Sequence, residues 1–198
     1  MLGKGKSVIL SFDDGPAPVG ALGNILTTLR KNAIIAEFYV LGSEVKKFPD
    51  ETKIIVNRGH KIHNHSWSHP DLKKAEKEVV QSELNRTQKI IKETTGAIAT
   101  KIRPPYGAGG WPGKYDPELS EVADALSLTI QNWDIDTRDW QHPRGIGPKK
   151  LKIIEEQFVR QRRKTRLNIL MHVQDATARD LPSFISKLKD WKFTFAKP

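Results

Sequence analysis

The sequence predicts an α/β fold in which strands and helices alternate around a parallel sheet or barrel. Two observations support this fold class. Short apolar runs alternate with amphipathic stretches along the whole chain, as expected of repeated strand and helix units. Each cluster of chemically reactive side chains also falls at or just after the carboxyl end of a predicted strand, where α/β barrels build their sites. A chain of this length is expected to form a single domain over residues 1–198.

Predicted strands are short apolar runs, and predicted helices are longer stretches whose apolar residues recur every three to four positions. Gly59, Gly96 and Asp190 follow helix ends as stops or turns. Seven strands are predicted, at Ser7–Phe12, Ala36–Leu41, Lys61–Asn64, Ile102, Leu128–Trp133, Asn168–His172 and Lys192–Phe195. The predicted helices are Val19–Lys31, Glu44–Asn57, Leu72–Thr94, Asp116–Ala125, Pro148–Arg163 and Leu181–Lys189.

Composition removes several classes of function. The chain has no cysteine, which excludes disulfides, thiolate catalysis and cysteine zinc sites and leaves His, Asp and Glu as the strong metal ligands. No apolar run approaches the roughly 20 residues of a membrane span. The opening Met1–Lys6 lacks the apolar stretch of a secretion signal, so a location in the cell envelope or outside the cell would require a leader upstream.

The formal net charge of +10 favours an anionic partner such as nucleic acid, acidic lipid or a cell-wall polymer. The densest basic run, Arg160–Arg166, is expected to be a solvated face at the end of a helix. Binding of nucleic acid would also need exposed aromatic residues interleaved with the basic ones, and only Phe158 lies beside this run. We therefore expect no nucleic-acid partner.

An apolar strand runs directly into the adjacent carboxylates of Asp13 and Asp14. Two like charges are costly there unless a cation compensates them. Gly15, the next residue, is expected to let the chain twist so that both carboxylates face one pocket, despite the alternation of side chains along a strand. An isolated Asp-Gly-Pro sequence is more often a polar turn, so this segment indicates a functional site only in combination with the other motifs.

Two imidazoles, His65 and His69, stand four residues apart. In a helical turn that spacing lets both bind one metal ion, and imidazole suits zinc and related divalent cations. The neighbouring His60 and His63 lack the spacing for a shared site and are expected to be structural.

Two further loops carry polar groups at strand ends. Arg103 precedes a rigid Pro-Pro turn. If this loop faces the aspartates, the guanidinium can keep one carboxylate ionised and the backbone N–H of Tyr106 can bind an oxyanion.

Asp139 follows one strand and His172 ends the next. A carboxylate beside His172 would fix its tautomer and hold its pKa above about 6.5, as a general acid requires.

With these five segments in this order, the chain resembles the polysaccharide deacetylases of carbohydrate esterase family 4, which contain the NodB-homology fold. The resemblance covers Ser7 to Phe195. It implies a distorted, incomplete (β/α)7–8 barrel of the NodB type and a hydrolase that removes acetyl groups from a polysaccharide. Three positions depart from the family pattern. Ser11 replaces a usual Thr, a mild change that keeps the hydroxyl. His63 replaces a small residue and Val173 a frequent Asp, and these two leave the choice of substrate open.

The resemblance also implies roles for individual residues. One divalent metal ion, with zinc favoured and cobalt, nickel or manganese as alternatives, would be bound by Asp14, His65 and His69. Catalysis would use Asp13 as the base, Arg103 to position it, Tyr106 as oxyanion donor, and His172 with its partner Asp139 as the acid. The substrate pocket would be lined by Trp140, Leu170, Pro104 and Tyr106.

The expected substrate is an N-acetylglucosamine polymer, either peptidoglycan or chitin, and the positive charge favours the anionic wall polymer. An O-deacetylase of acetylxylan is an alternative that shares the motifs. A sugar-binding module with a silent site is an alternative of another class. The complete set of Asp13, Asp14, His65, His69 and His172 argues against a silent site.

Overall fold

A computed structural model of the protein describes residues 2–198. Strands and helices alternate along the chain, as the sequence predicts. The elements in chain order are β1 (Ser7–Gly15), α1 (Val19–Lys31), β2 (Glu37–Val40), α2 (Gly42–Lys47), α3 (Pro49–Asn57), β3 (Lys61–Asn64), α4 (Lys77–Thr95), β4 (Lys101–Ile102), β5 (Gly110–Trp111), β6 (Lys114–Tyr115), α5 (Pro117–Ala125), β7 (Thr129–Ile130), β8 (Ile135–Asp136), α6 (Pro148–Arg160), β9 (Arg166–His172), α7 (Asp175–Asp190) and β10 (Thr194–Phe195).

Two predicted helices are each divided in the structure. The stretch predicted as Glu44–Asn57 forms α2 and α3, because Pro49 cannot continue a helix but suits the first position of a new one. The stretch predicted as Leu72–Thr94 begins as a short 3-10 turn and becomes helical only at α4, since Ala75 and Glu76 have extended backbones. Periodicity alone was wrong at these two joints.

Other differences concern short or interrupted elements. The strand predicted over Leu128–Trp133 is reduced to β7, and the separate strand β8 was not predicted. Helix α7 begins six residues before its predicted start and contains Pro182 as its eighth residue. The hairpin of β5 and β6, which pairs Gly110 with Tyr115 in antiparallel register, was also missed because each strand has only two residues.

The chain divides into two compact units. The first unit contains residues 2–13, 17–37 and 133–198. In it β1 pairs in parallel with both β9 and β10, and β9 pairs in parallel with β8. The register places Asp13 opposite His172 at the carboxyl ends of β1 and β9. Helices α1 and α7 pack together, with Leu26 and Leu181 among their fully buried residues.

The second unit contains residues 14–16 and 38–132. In it β3 pairs in parallel with β4, and β4 with β7, so that Asn64 lies opposite Ile102. Helix α4 packs against α2, α3 and α5. Its apolar face belongs to a cluster formed by Leu72, Val80, Leu84, Ile102, Leu119, Val122, Ala123 and Leu128.

Both units therefore have parallel strands flanked by helices, which confirms the predicted α/β class. The run Arg160–Arg166 is solvated as expected, since five of its basic side chains are exposed: Arg160, Arg162, Arg163, Lys164 and Arg166. Within residues 2–198, no helix is both long enough and apolar enough to cross a membrane. The single-domain organisation stays a prediction.

Candidate metal centre and histidine–aspartate pair

Three predicted metal ligands converge in the second unit. The Oδ1 atom of Asp14 lies 3.4 Å from Nε2 of His65 and 3.5 Å from Nε2 of His69. A tetrahedral cation about 2.1 Å from each of its ligands holds those ligand atoms about 3.4 Å apart. The donor set and its spacing therefore fit a divalent metal ion without rearrangement.

The backbone turns at Asp14 itself, which has a φ of 68°. The twist was expected at Gly15, and that expectation was wrong, because Gly15 is not among the residues with positive φ. An Asp tolerates the left-handed region better than most residues do. The conformation turns the Asp14 side chain out of the strand's alternation and toward the two imidazoles.

The segment from His65 to His69 is not helical, which corrects the geometric reason given for the pair. It is an irregular loop after β3 in which Ser66 and His69 have φ values of 69° and 66°. The hydroxyl of Ser66 accepts a hydrogen bond from the backbone N–H of His69 at 3.1 Å. The imidazoles converge through this loop conformation and not through a helical repeat.

The orientation of His65 is fixed by a carbonyl group. Its Nδ1 lies 2.7 Å from the backbone oxygen of Arg103, which can only accept a hydrogen bond. Nδ1 must therefore carry the proton, and Nε2 presents its lone pair toward Asp14. His65 is 2% exposed, so this tautomer is protected from water.

Arg103, expected to hold a carboxylate, is completely buried after β4. Its Nε donates to the carbonyl of Gln131 at 3.1 Å, and its guanidinium lies 3.9 Å from the centre of the Tyr39 ring. Pro104 is buried, whereas Tyr106 is 68% exposed with a φ of 61°. The edge of the Tyr106 ring meets His69 with the ring centres 4.7 Å apart.

The backbone N–H of Tyr106 makes no hydrogen bond with any residue between 2 and 198. A backbone N–H group without a partner in the protein, on a loop beside the predicted metal ligand His69, can donate a hydrogen bond to a bound molecule. The role of Tyr106 as an oxyanion donor stays a prediction.

The first unit contains the predicted acid and its partner. Oδ1 of Asp139 lies 2.7 Å from Nδ1 of His172, while Oδ2 accepts from the His172 backbone N–H at 2.8 Å and from Oγ1 of Thr177 at 2.5 Å. Burial acts to raise the pKa of Asp139, but the hydrogen bonds and charge of His172 and the bond from Thr177 lower it overall. Asp139 is therefore an ionised carboxylate that holds the imidazole in one orientation.

The remaining predicted residues of this unit differ in exposure. Asp13 is 2% exposed and Leu170 is 3% exposed, while Trp140 is 51% exposed. The exposed indole of Trp140, next to Asp139 in the sequence, is accessible to a large substrate. Leu170 is a buried residue of β9, two positions before His172. Asp136, at the end of β8, has its pKa raised by burial.

Sequence reasoning missed two side chains that support these sites, Thr177 and Glu83, and a third, Lys150, that holds the loop after Trp140. Thr177 bonds Asp139 from the first turn of α7, a helix that was predicted to begin later. Lys150 is 9% exposed and donates to the carbonyls of Gln141 and Pro143, and burial lowers its pKa. Glu83 lies inside α4 and binds the metal-ligand loop. No local pattern distinguished them from ordinary helix residues.

His60 and His63, which were expected to be structural, are both buried. The ring of His60 meets Phe38 edge to face with centres 5.4 Å apart, and that of His63 is tilted against Tyr39. Burial, with a smaller contribution from the charge of Arg58, lowers the pKa of His60 to about 4. His60 is therefore a neutral core residue at pH 7.

The model of the family described as polysaccharide deacetylase matches residues 3–130. A peptidoglycan-N-acetylglucosamine deacetylase of Listeria monocytogenes is 34% identical over 192 residues, which are 96% of this chain and 37% of that protein. A chitooligosaccharide deacetylase of Rhizobium leguminosarum is 33% identical over 70% of this chain and 61% of that protein. The chain thus spans little more than a third of the first relative and just under two thirds of the second.

The solved structure of a CE4 family pseudoenzyme from Bacillus anthracis covers 97% of this chain and 63% of its own, with a TM-score of 0.80 and 26% sequence identity. The fold of the whole chain is therefore that of CE4 proteins. This confirms the predicted distorted, incomplete (β/α) barrel.

Proposed function

Because this chain belongs to the polysaccharide deacetylase family, we propose that it is a metal-dependent hydrolase that removes acetyl groups from an N-acetylated polysaccharide. The observation that carries the proposal is the spacing of three ligand atoms, with both imidazole Nε2 atoms 3.4–3.5 Å from Oδ1 of Asp14. Three protein ligands leave coordination positions open, as in catalytic zinc sites. When bound there, a divalent cation would acidify water and polarise the acetyl carbonyl.

The side chains of this chain would move two protons. Asp13, which directly precedes the ligand Asp14 in the sequence, would take a proton from the attacking water. The backbone N–H of Tyr106 would donate to the oxygen that becomes negative during the attack. His172, held by Asp139, would then donate its Nε2 proton to the leaving amine as acetate departs.

Four residues are assigned supporting roles from their positions in the family pattern. Arg103 is proposed to keep Asp13 ionised and oriented, as its family position implies. Trp140 and Leu170 are proposed as walls for the acetyl group, together with Pro104. The exposure of Trp140 at 51% suits contact with a sugar, since an aromatic face packs on apolar sugar surfaces.

Relatives named for N-deacetylation of peptidoglycan and chitooligosaccharides support an N-acetyl substrate over acetylxylan. The net charge of +10 supports peptidoglycan within a cell wall over neutral chitin. Action on such a polymer would place the protein in the cell envelope or outside the cell. A sugar-binding module without catalytic activity is the second candidate, because a structurally similar protein is a pseudoenzyme. The clustering of Asp14, His65 and His69 favours the enzyme instead.

The test is acetate release from chitooligosaccharides, peptidoglycan and acetylxylan. The protein is stripped with a chelator and reloaded with zinc, cobalt, nickel or manganese. We expect one metal ion per chain and activity only after reloading, with N-acetyl substrates preferred. His65→Ala should lose both metal and activity, while His142→Ala, which removes an exposed histidine, should keep the metal. Metal binding without acetate release from any substrate would favour the silent module.

A further inference from the structure

The loop that carries both imidazole ligands is conformationally costly. It contains two non-glycine residues in the left-handed region, Ser66 and His69. The left-handed region is unfavourable for such residues, and they stay in it only where the surrounding structure determines their conformation. The spacing of the two Nε2 atoms therefore depends on groups that hold this loop from outside.

Glu83, on the buried face of α4, holds the loop midway between the two ligands. Its Oε2 accepts hydrogen bonds from the backbone N–H groups of Trp67 at 2.7 Å and Ser68 at 2.8 Å. Its Oε1 accepts from the hydroxyl of Ser68 at 2.8 Å. The side chain is 7% exposed, so these three bonds are shielded from competing water.

Other contacts hold the rest of this loop, whereas the N–H groups at its centre bind only Glu83 among them. Asn64 ties the start of the loop to α4, donating to the carbonyl of Leu84 at 3.0 Å and accepting from the N–H of Ser66 at 2.9 Å. On the other side, the N–H groups of Gly42 and Ser43 donate to the carbonyls of Ser66 and Trp67. None of these contacts satisfies the N–H of Trp67 or Ser68, which point at Glu83.

We propose that Glu83 is a positioning residue for the metal centre, which sets metal affinity by holding the loop that places His65 and His69. The proposal rests on the proposed function, because it takes the three-residue cluster to be a metal site. Loss of Glu83 would leave two backbone N–H groups without partners inside the protein and release a strained loop. Groups that orient metal ligands typically change metal affinity by about 10- to 100-fold when removed.

Glu83 could affect metal binding in two ways: its hydrogen bonds could hold the loop, or its negative charge could attract the cation. Two conservative variants distinguish these alternatives. Glu83→Gln loses the charge but keeps the reach, since one amide oxygen can accept both N–H groups and the NH₂ can donate to the Ser68 hydroxyl. Glu83→Asp keeps the charge but is one methylene shorter and cannot reach the loop. Only the second variant should weaken metal binding if Glu83 acts through its hydrogen bonds.

The experiment measures the dissociation constant for Zn²⁺ by chelator competition and the visible spectrum of the Co²⁺-loaded protein. We expect Glu83→Ala and Glu83→Asp to bind Zn²⁺ about 10- to 100-fold more weakly with an altered Co²⁺ spectrum. Glu83→Gln should stay within about threefold of wild type. Asp116→Ala is the control, because the Asp116 side chain also accepts a backbone N–H bond, from Leu119 in the first turn of α5 and not from the loop of His65 and His69.

Three results would overturn the inference. Wild-type affinity in Glu83→Asp would show that reach is unimportant, and weak binding by Glu83→Gln alone would show that charge acts instead of contact. A loss of affinity in Asp116→Ala equal to that of Glu83→Asp would reduce the effect to general stability. A wild-type protein that binds no metal would refute the metal site and the proposed function along with it, whereas unchanged binding by Glu83→Asp refutes this inference alone.

Discussion

Replacing Asp139 by Asn should shift the pH range of activity without abolishing it. Asp139 is completely buried and accepts three hydrogen bonds, two of them from His172. An Asn has one acceptor oxygen and one NH₂ group, so its side chain cannot accept on both sides. If the oxygen keeps the backbone N–H of His172 and the hydroxyl of Thr177, the NH₂ faces Nδ1 of His172 and removes its proton acceptor.

The size of the shift follows from this geometry. A hydrogen bond to a charged group contributes about 1.5–3 kcal/mol, and about 1.36 kcal/mol corresponds to one pH unit. The protonated imidazole should therefore lose its proton about 1–2 pH units lower in Asp139→Asn. A general acid acts only below its pKa, so activity is lost as pH rises, and the high-pH limb should move down by that amount.

The assay is kcat/KM for acetate release from a chitooligosaccharide by the zinc-loaded enzyme, from pH 5 to pH 10, for wild type, Asp139→Asn and His172→Ala. His172→Ala should lose the limb altogether and should lose more activity on amides than on aryl acetates, whose leaving oxygen needs no proton. A high-pH limb that stays at the wild-type position in Asp139→Asn would refute the pairing as the source of acidity. Equal losses of His172→Ala on both substrates would show that this histidine shapes the site instead.

Three other perturbations have defined outcomes. Asp13→Asn should keep one metal ion per chain and lose turnover by about 10²-fold or more, and a parallel loss of metal would make Asp13 a ligand. Because the pKa of His60 is lowered to about 4, its contribution to the free energy of unfolding is fully present above about pH 6.5 and is lost as pH falls toward 4, by at most about 3 kcal/mol. Between pH 7 and pH 5, the Tm of His60→Gln should therefore fall less than that of wild type. Binding to peptidoglycan that carries anionic polymers should weaken as salt is raised from 20 to 500 mM, whereas tight retention on DNA at physiological salt would contradict the assignment of the basic charge.

The elements with clear sequence signals were predicted well. Helix α1 begins and ends where the pattern placed it, and β3 has its predicted bounds, because an amphipathic face and a short apolar run between turn residues are local properties. The joint at Pro49 was missed because the apolar periodicity continues across it, although the proline itself marks the break. The early start of α7 was missed because tertiary packing stabilises a helix that contains Pro182. Strands of two residues, such as β5, carry too little sequence to be recognised.

In the candidate metal centre, too, some features were predicted correctly and others were not. The ligand types and their order were readable, since Asp14, His65 and His69 are chemically suited to a divalent cation wherever they stand. The helical turn expected for the histidine pair was wrong, and so was the twist expected at Gly15. Both depend on left-handed residues, and a residue other than Gly enters that region only when distant contacts require it.

The sequence by itself determined the fold class, the family and the chemistry that each motif can supply, because these follow from residue type, spacing and order. Only the tertiary structure decided which atoms meet: the carbonyl that sets the tautomer of His65, the carboxylate of Glu83 that holds the ligand loop, and the hydroxyl of Thr177 that completes the shell of Asp139. These supporting groups lie 15 or more positions along the chain from the residues to which they are hydrogen-bonded. Their identity depends on how helices and strands pack, and hydrogen bonds between such distant positions leave no periodic trace in the chain.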